Sequence, residues 1–111
     1  MYGYCQNCGN WGPLHKHHIV GGRGKRRECE TDCSTRMLCW ECHEGTKGVH
    51  GRDGRALALS LKGELQSEYF ARGYGEEEVR RLMGGKLYLD GEGEIIGLPS
   101  GEREDIKGRT A

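Results

Sequence analysis

Cys5 and Cys8 form one C-x2-C pair, and Cys39 and Cys42 form a second. Each pair places two thiolates on one tight turn, at the separation that a tetrahedral Zn²⁺ requires. Gly9, directly after the first pair, permits a backbone that exposes its amides to the sulfurs. The pattern predicts one structural zinc held by Cys5, Cys8, Cys39 and Cys42. Cys29 and Cys33 are spaced C-x3-C in a polar loop, and nothing nearby completes a four-ligand set, so they read as free thiols. All five histidines fall in the same stretch: His15, His17, His18, His43 and His50. His17 and His18 stand shortly before the Gly21-Gly22 break, where two imidazoles can serve separately as metal ligand and general base. Imidazole titrates near neutrality without tuning, which suits it to either task. His43 follows Cys42 directly, so a zinc knuckle fixes its position. It competes there as a zinc ligand, but thiolate softness favours the four sulfurs. His15 alone reads as a surface or capping residue.

Certain elements must position these groups. Leu14 to Val20 reads as a short strand, and Arg36 to Leu38 as a second, weaker one. Strand alternation sends His17 and His18 to opposite faces, so both reach one site only where the strand twists or ends. Trp40 to Lys47 has the makings of a short helix, interrupted by Gly45 and Gly48. Arg55 to Arg72 is the clearest helix, with Leu57, Leu61, Leu65 and Tyr69 recurring every four residues and Ala58 and Phe70 widening the stripe. Glu76, Glu77 and Glu78 favour the first turn of another helix, where the dipole welcomes acids, and Gly84-Gly85 stops it. Lys86 to Leu89 reads as a short strand or edge. Residues 90–111 combine Gly, Glu, Lys and Arg with isolated apolar residues, the composition of a mobile polar tail.

The order C-x2-C, then Leu14-His15-Lys16-His17-His18-Ile19-Val20-Gly21-Gly22, then Leu38-Cys39-Trp40-Glu41-Cys42-His43 through His50-Gly51, resembles the HNH endonucleases. Within them it is most similar to small HNH proteins of phage and prophage genomes. The resemblance covers residues 5–51 best. It implies a small α+β fold: a zinc-stapled ββα-metal (treble-clef-like) finger over residues 1–52, then a helical extension over 53–89 packed on that core in one domain. It implies a nuclease that cuts or nicks DNA with a divalent metal, Mg²⁺ or Mn²⁺. His18 would be the general base, His17 a metal ligand beside it, and His43 a ligand from the helix. Ser34 stands nine residues before His43, where the family has an Asn that orients the base; its shorter side chain would reach the imidazole through water. Lys47 occupies the place of the second helix ligand, and His50 would replace it. Seven residues of regular helix separate Cα atoms by about 10.5 Å, so a break at Gly45 or Gly48 must fold the chain back.

Composition and charge describe one small domain with no strong overall field to recruit nucleic acid or membrane. The 111 residues suit one domain, and 34% hydrophobic content with 20 Gly leaves a small core that needs a staple. Formal net charge is zero, yet residues 1–55 hold nine Lys/Arg against six Asp/Glu. Lys16, Arg23, Lys25, Arg26 and Arg27 form an acid-free block fit to meet a phosphate backbone. So few contacts position DNA more than they read its sequence. No apolar run reaches the about 18 residues of a spanning helix. The N-terminus has no signal-peptide pattern, which points to a reducing cytoplasm, bacterial or phage-infected, and to metal rather than disulfides. A homodimer would let two sites cut two strands, and a phage protein partner would supply selectivity; no residue demands either. The alternative is a non-catalytic zinc-ribbon module binding nucleic acid or protein. Ser34 at the Asn position favours it, and the histidine cluster opposes it.

Overall fold

The structure is a computed structural model describing residues 1–21 and 29–98. The basic residues Arg23, Lys25, Arg26 and Arg27 lie outside the described residues. The chain opens with a hairpin of β1 (Tyr2–Tyr4) and β2 (Trp11–Pro13), antiparallel with Tyr4 opposite Trp11. Cys5 to Asn10 closes it. The Cys5 N–H donates to the Asn10 carbonyl and the Gly9 N–H to the Cys5 carbonyl, both at 2.9 Å. Gly9 takes φ +81°, a conformation that glycine enters at little cost.

A second antiparallel hairpin pairs β3 (His15–His18) with β4 (Thr35–Leu38), placing His17 opposite Arg36 and His18 opposite Thr35. The strand expected over Leu14–Val20 is shorter than its apolar ends suggested. Ile19 and Val20 lie beyond the strand and are buried in the core. The first knuckle docks on this hairpin through Gln6, whose N–H donates to the Met37 carbonyl at 2.9 Å and whose side-chain oxygen accepts from the Met37 N–H. That contact carries Cys5 and Cys8 to Cys39 and Cys42 across the intervening sequence.

Helix α1 spans only Trp40–His43. The expected extension to Lys47 fails because the chain folds back on itself at Gly45 and Gly48. A Cβ on either would collide with the Glu41 carbonyl. Successive three-residue turns follow, with Gly48, Gly51 and Gly54 each donating an N–H to the glycine carbonyl three positions earlier, at 2.8–3.1 Å.

Helix α2 (Arg55–Ala71) buries Leu61, Leu65, Gln66, Tyr69 and Phe70, and α3 (Glu76–Leu82) buries Val79 and Leu82. All of these but Gln66 join Cys5, Ile19, Val20, Cys29, Leu38 and Met83 in one apolar cluster. Residues 90–98 depart from the mobile tail expected of 90–111. Leu89 and Ile95 form an antiparallel bridge, and Ile96 packs over Gly63. The reason is Gln66, fully buried on α2, whose amide donates to the carbonyls of Tyr88 (2.9 Å) and Ile96 (3.0 Å) and accepts from the Tyr88 N–H (2.8 Å). A buried amide must find partners, and this segment supplies them. The rest of the expected tail, 99–111, lies outside the described residues. No helix among the described residues is long and apolar enough to cross a membrane.

Candidate metal centres

The four sulfurs of Cys5, Cys8, Cys39 and Cys42 gather within 4.8 Å of one another. Cys8 Sγ lies 3.7 Å from Cys39 Sγ. Tetrahedral Zn–S bonds of about 2.3 Å place sulfurs about 3.8 Å apart, so this spacing fits the ion. N–H groups point at the sulfurs: the backbone amides of Asn7 and Cys8 at Cys5 Sγ (3.4 and 3.5 Å), and Asn7 Nδ2 at Cys42 Sγ (3.3 Å). Burial opposes ionisation of Cys5, but N–H donors from Cys8, Cys39 and Asn7 outweigh it and bring the thiol down to about 6. Burial pushes Cys42 up to about 12; the Asn7 side-chain N–H pulls the other way, and the Cys39, Cys5 and Cys8 side chains add to the rise. One thiolate therefore forms readily and further ones resist, the electrostatic situation that a central divalent cation resolves. The cluster suggests a zinc-binding site, and with the fold it defines a small α+β protein consistent with a zinc-stapled finger.

Cys29 and Cys33 take no part in either candidate metal cluster. Cys29 is buried, with its Sγ donating to the Arg81 carbonyl at 3.4 Å, and both thiols are free.

A second cluster joins His17, His43 and His50, whose ring nitrogens also lie within 4.8 Å of one another. The ring centroids are 5.4 Å (His17–His43), 5.1 Å (His17–His50) and 4.7 Å (His43–His50) apart. Three different segments deliver them: β3, the last residue of α1, and the glycine-turned loop. His50 arrives because its N–H donates to the His43 carbonyl at 2.9 Å, one position after Val49 does the same to Cys42. The fold-back that one shared ion requires is thus present. Burial, then the neighbouring His50 and His43, lower His17 to about 4. Burial and His50 likewise lower His43. Both rings are neutral near pH 7 and offer lone pairs. Adjacent residues of one helical turn point about 100° apart, so Cys42 serves the sulfur cluster and His43 the imidazole cluster.

His15 is not a plain surface residue. Its Nδ1 lies 3.1 Å from His43 Nδ1, which leaves Nε2 as the free ligating nitrogen of His43. The signal was available in the sequence, since His15 and His17 share a strand face by alternation. His18 lies on the opposite face and stands outside the imidazole cluster. Its Nε2 meets Glu30 Oε1 at 2.7 Å. Lys16, on the same face as His18, is exposed. Ser34 does not orient His18. Its buried hydroxyl accepts from the Thr31 N–H (2.8 Å) and donates to the Thr31 carbonyl (3.0 Å), so it is spent within its own turn. Gln6, Asn7, His15 and Glu30 are the contributors that sequence reasoning passed over.

Comparison with known proteins returns no match: no family model, curated sequence or solved structure is significantly similar to the chain.

Proposed function

We propose that the protein is a divalent-metal-dependent DNA endonuclease or nickase of the HNH type, with His18 as general base. One observation carries the reading: imidazoles from three separate segments converge beside the strand whose other face presents His18. An ion held by His17, His43 and His50 would stabilise charge on the phosphorane and on the leaving oxygen. Three imidazoles suit a transition ion better than hard, oxygen-seeking Mg²⁺, which favours Mn²⁺ of the two ions expected. His18 removes the proton of the attacking water. Lys16, and the basic residues Arg23, Lys25, Arg26 and Arg27, hold neighbouring phosphates. Supercoiled plasmid with Mn²⁺ or Mg²⁺ tests the reading. Wild type nicks it, and His18→Ala loses about 10²–10⁴-fold in rate while binding DNA normally. Equal activity in the two proteins overturns the assignment of the base.

One feature favours a second reading, the non-catalytic binding module. Tyr2, Tyr4 and Trp11 expose their side chains on the first hairpin, with the Tyr4 and Trp11 rings 5.0 Å apart edge to face. Such aromatics are suited to bases or to a protein partner. Tight DNA binding without cleavage by any divalent ion would select this reading.

A further inference from the structure

With Ser34 engaged in its own turn, the question is what holds the His18 ring. The segment from Cys29 to Ser34 is fastened at almost every residue. The buried Cys29 donates to the Arg81 carbonyl at 3.4 Å. Thr31 Oγ1 lies 2.7 Å from the hydroxyl of Tyr69, a fully buried residue of α2. Asp32 accepts from Arg72 Nη1 at 2.8 Å. The Ile19 N–H donates to the Ser34 carbonyl at 2.9 Å, tying the segment to the end of β3. Between these anchors Glu30 turns its Oε1 to His18 Nε2 at 2.7 Å, with the His18 side chain 19% exposed.

We propose that Glu30 is the positioning residue of His18, in the place that the motif gives to Ser34; the inference rests on the nuclease reading. A carboxylate only accepts hydrogen bonds, so the proton of the neutral ring sits on Nε2 and Nδ1 keeps its lone pair. In the reaction the water oxygen bonds to phosphorus, its proton passes to His18 Nδ1, and the bond from phosphorus to the leaving oxygen breaks. The leaving oxygen takes a proton from solvent. Nε2 keeps its own proton, and no proton moves to Glu30, whose charge stabilises the imidazolium. Helix α2, through Tyr69 and Arg72, therefore acts on the reaction without touching DNA: it holds the segment that holds the base.

The test uses the zinc-loaded full chain with Mn²⁺ and supercoiled plasmid, read as kcat and KM, together with ¹⁵N NMR of the His18 ring at one fixed pH. Glu30→Ala should lower kcat by about 10-fold or more, between the cost of losing a carboxylate behind a metal-bound histidine (about 10–100-fold) and behind a general-base histidine (about 10⁴-fold). KM should stay level or fall, because a negative charge near DNA is gone. Glu30→Gln, which keeps an oxygen acceptor, should recover part of kcat, and Ser34→Ala should stay near wild type. The wild-type ring should show the proton on Nε2, and Glu30→Ala should mix the tautomers. Unchanged kcat in Glu30→Ala, with wild type active, overturns the proposal. If wild type cleaves no DNA, the nuclease reading fails by itself and the NMR experiment decides the pairing. A ring indifferent to Glu30→Ala overturns it, and a shifted tautomer supports it.

Discussion

The two halves of the described chain share one apolar cluster but contribute to it unequally. Residues 55–98 form a conventional core in which α2 and α3 contribute Leu61, Leu65, Tyr69, Phe70, Val79 and Leu82, closed by a segment fastened to Gln66. Residues 1–54 contribute few buried apolar side chains, chiefly Ile19, Val20 and Leu38, and their four strands are three or four residues long. Two-stranded hairpins of that length are marginal in water. They bring together two clusters of potential metal ligands: four sulfurs and, on the adjoining side of α1, three imidazoles. The half that carries both candidate metal clusters is thus the half with the fewer buried apolar side chains, while from the helical half Tyr69 and Arg72 reach over to it.

The sharpest way to break this contrast is to remove zinc. Structural zinc in finger peptides contributes about 10–16 kcal/mol, comparable to the whole stability of a small domain. Chelation, or Cys42→Ser, should abolish hydrogen-exchange protection of β3 and β4. A melting curve unchanged after complete extraction would remove the basis of the comparison. A smaller effect is expected from the other half. Leu65 is fully buried, and Leu65→Ala should cost about 2–5 kcal/mol in urea unfolding while zinc content stays at one per chain. Loss of zinc in that variant would show that the halves are not separable. The smallest effect should come from Ser34→Ala, about 1 kcal/mol of stability for the hydroxyl's bonds to Thr31, measured by the same unfolding curve.

The sequence was readable where one physical constraint acts on neighbouring residues. The C-x2-C pairs encode their own geometry, and the four-residue spacing of Leu57, Leu61, Leu65 and Tyr69 encodes the buried face of α2. The end of α1 was half legible. Gly45 and Gly48 marked a break, but the three-residue spacing of Gly45, Gly48, Gly51 and Gly54, which folds His50 back to His43, went unread. Glu30 was out of reach, because the segment that carries it to His18 is anchored by Ile19, Tyr69, Arg72 and Arg81, all distant in the chain. Residues 90–98 were misjudged for a similar reason. Their composition is polar and glycine-broken, and their order comes from a single buried amide thirty residues earlier in the chain. Sequence patterns report local preference, and these two features depend on partners distant in the chain.

One turn of helix separates two candidate metal centres of different character, four sulfurs suited to a zinc staple and three imidazoles suited to an exchangeable ion. Crystals of the zinc-loaded protein soaked in Mn²⁺, with anomalous scattering recorded at the zinc and manganese edges, test it directly. We expect a zinc peak among Cys5, Cys8, Cys39 and Cys42 and a separate manganese peak among His17, His43 and His50. Zinc in its place with no manganese at the imidazoles, at any soak concentration that the crystals survive, would contradict it.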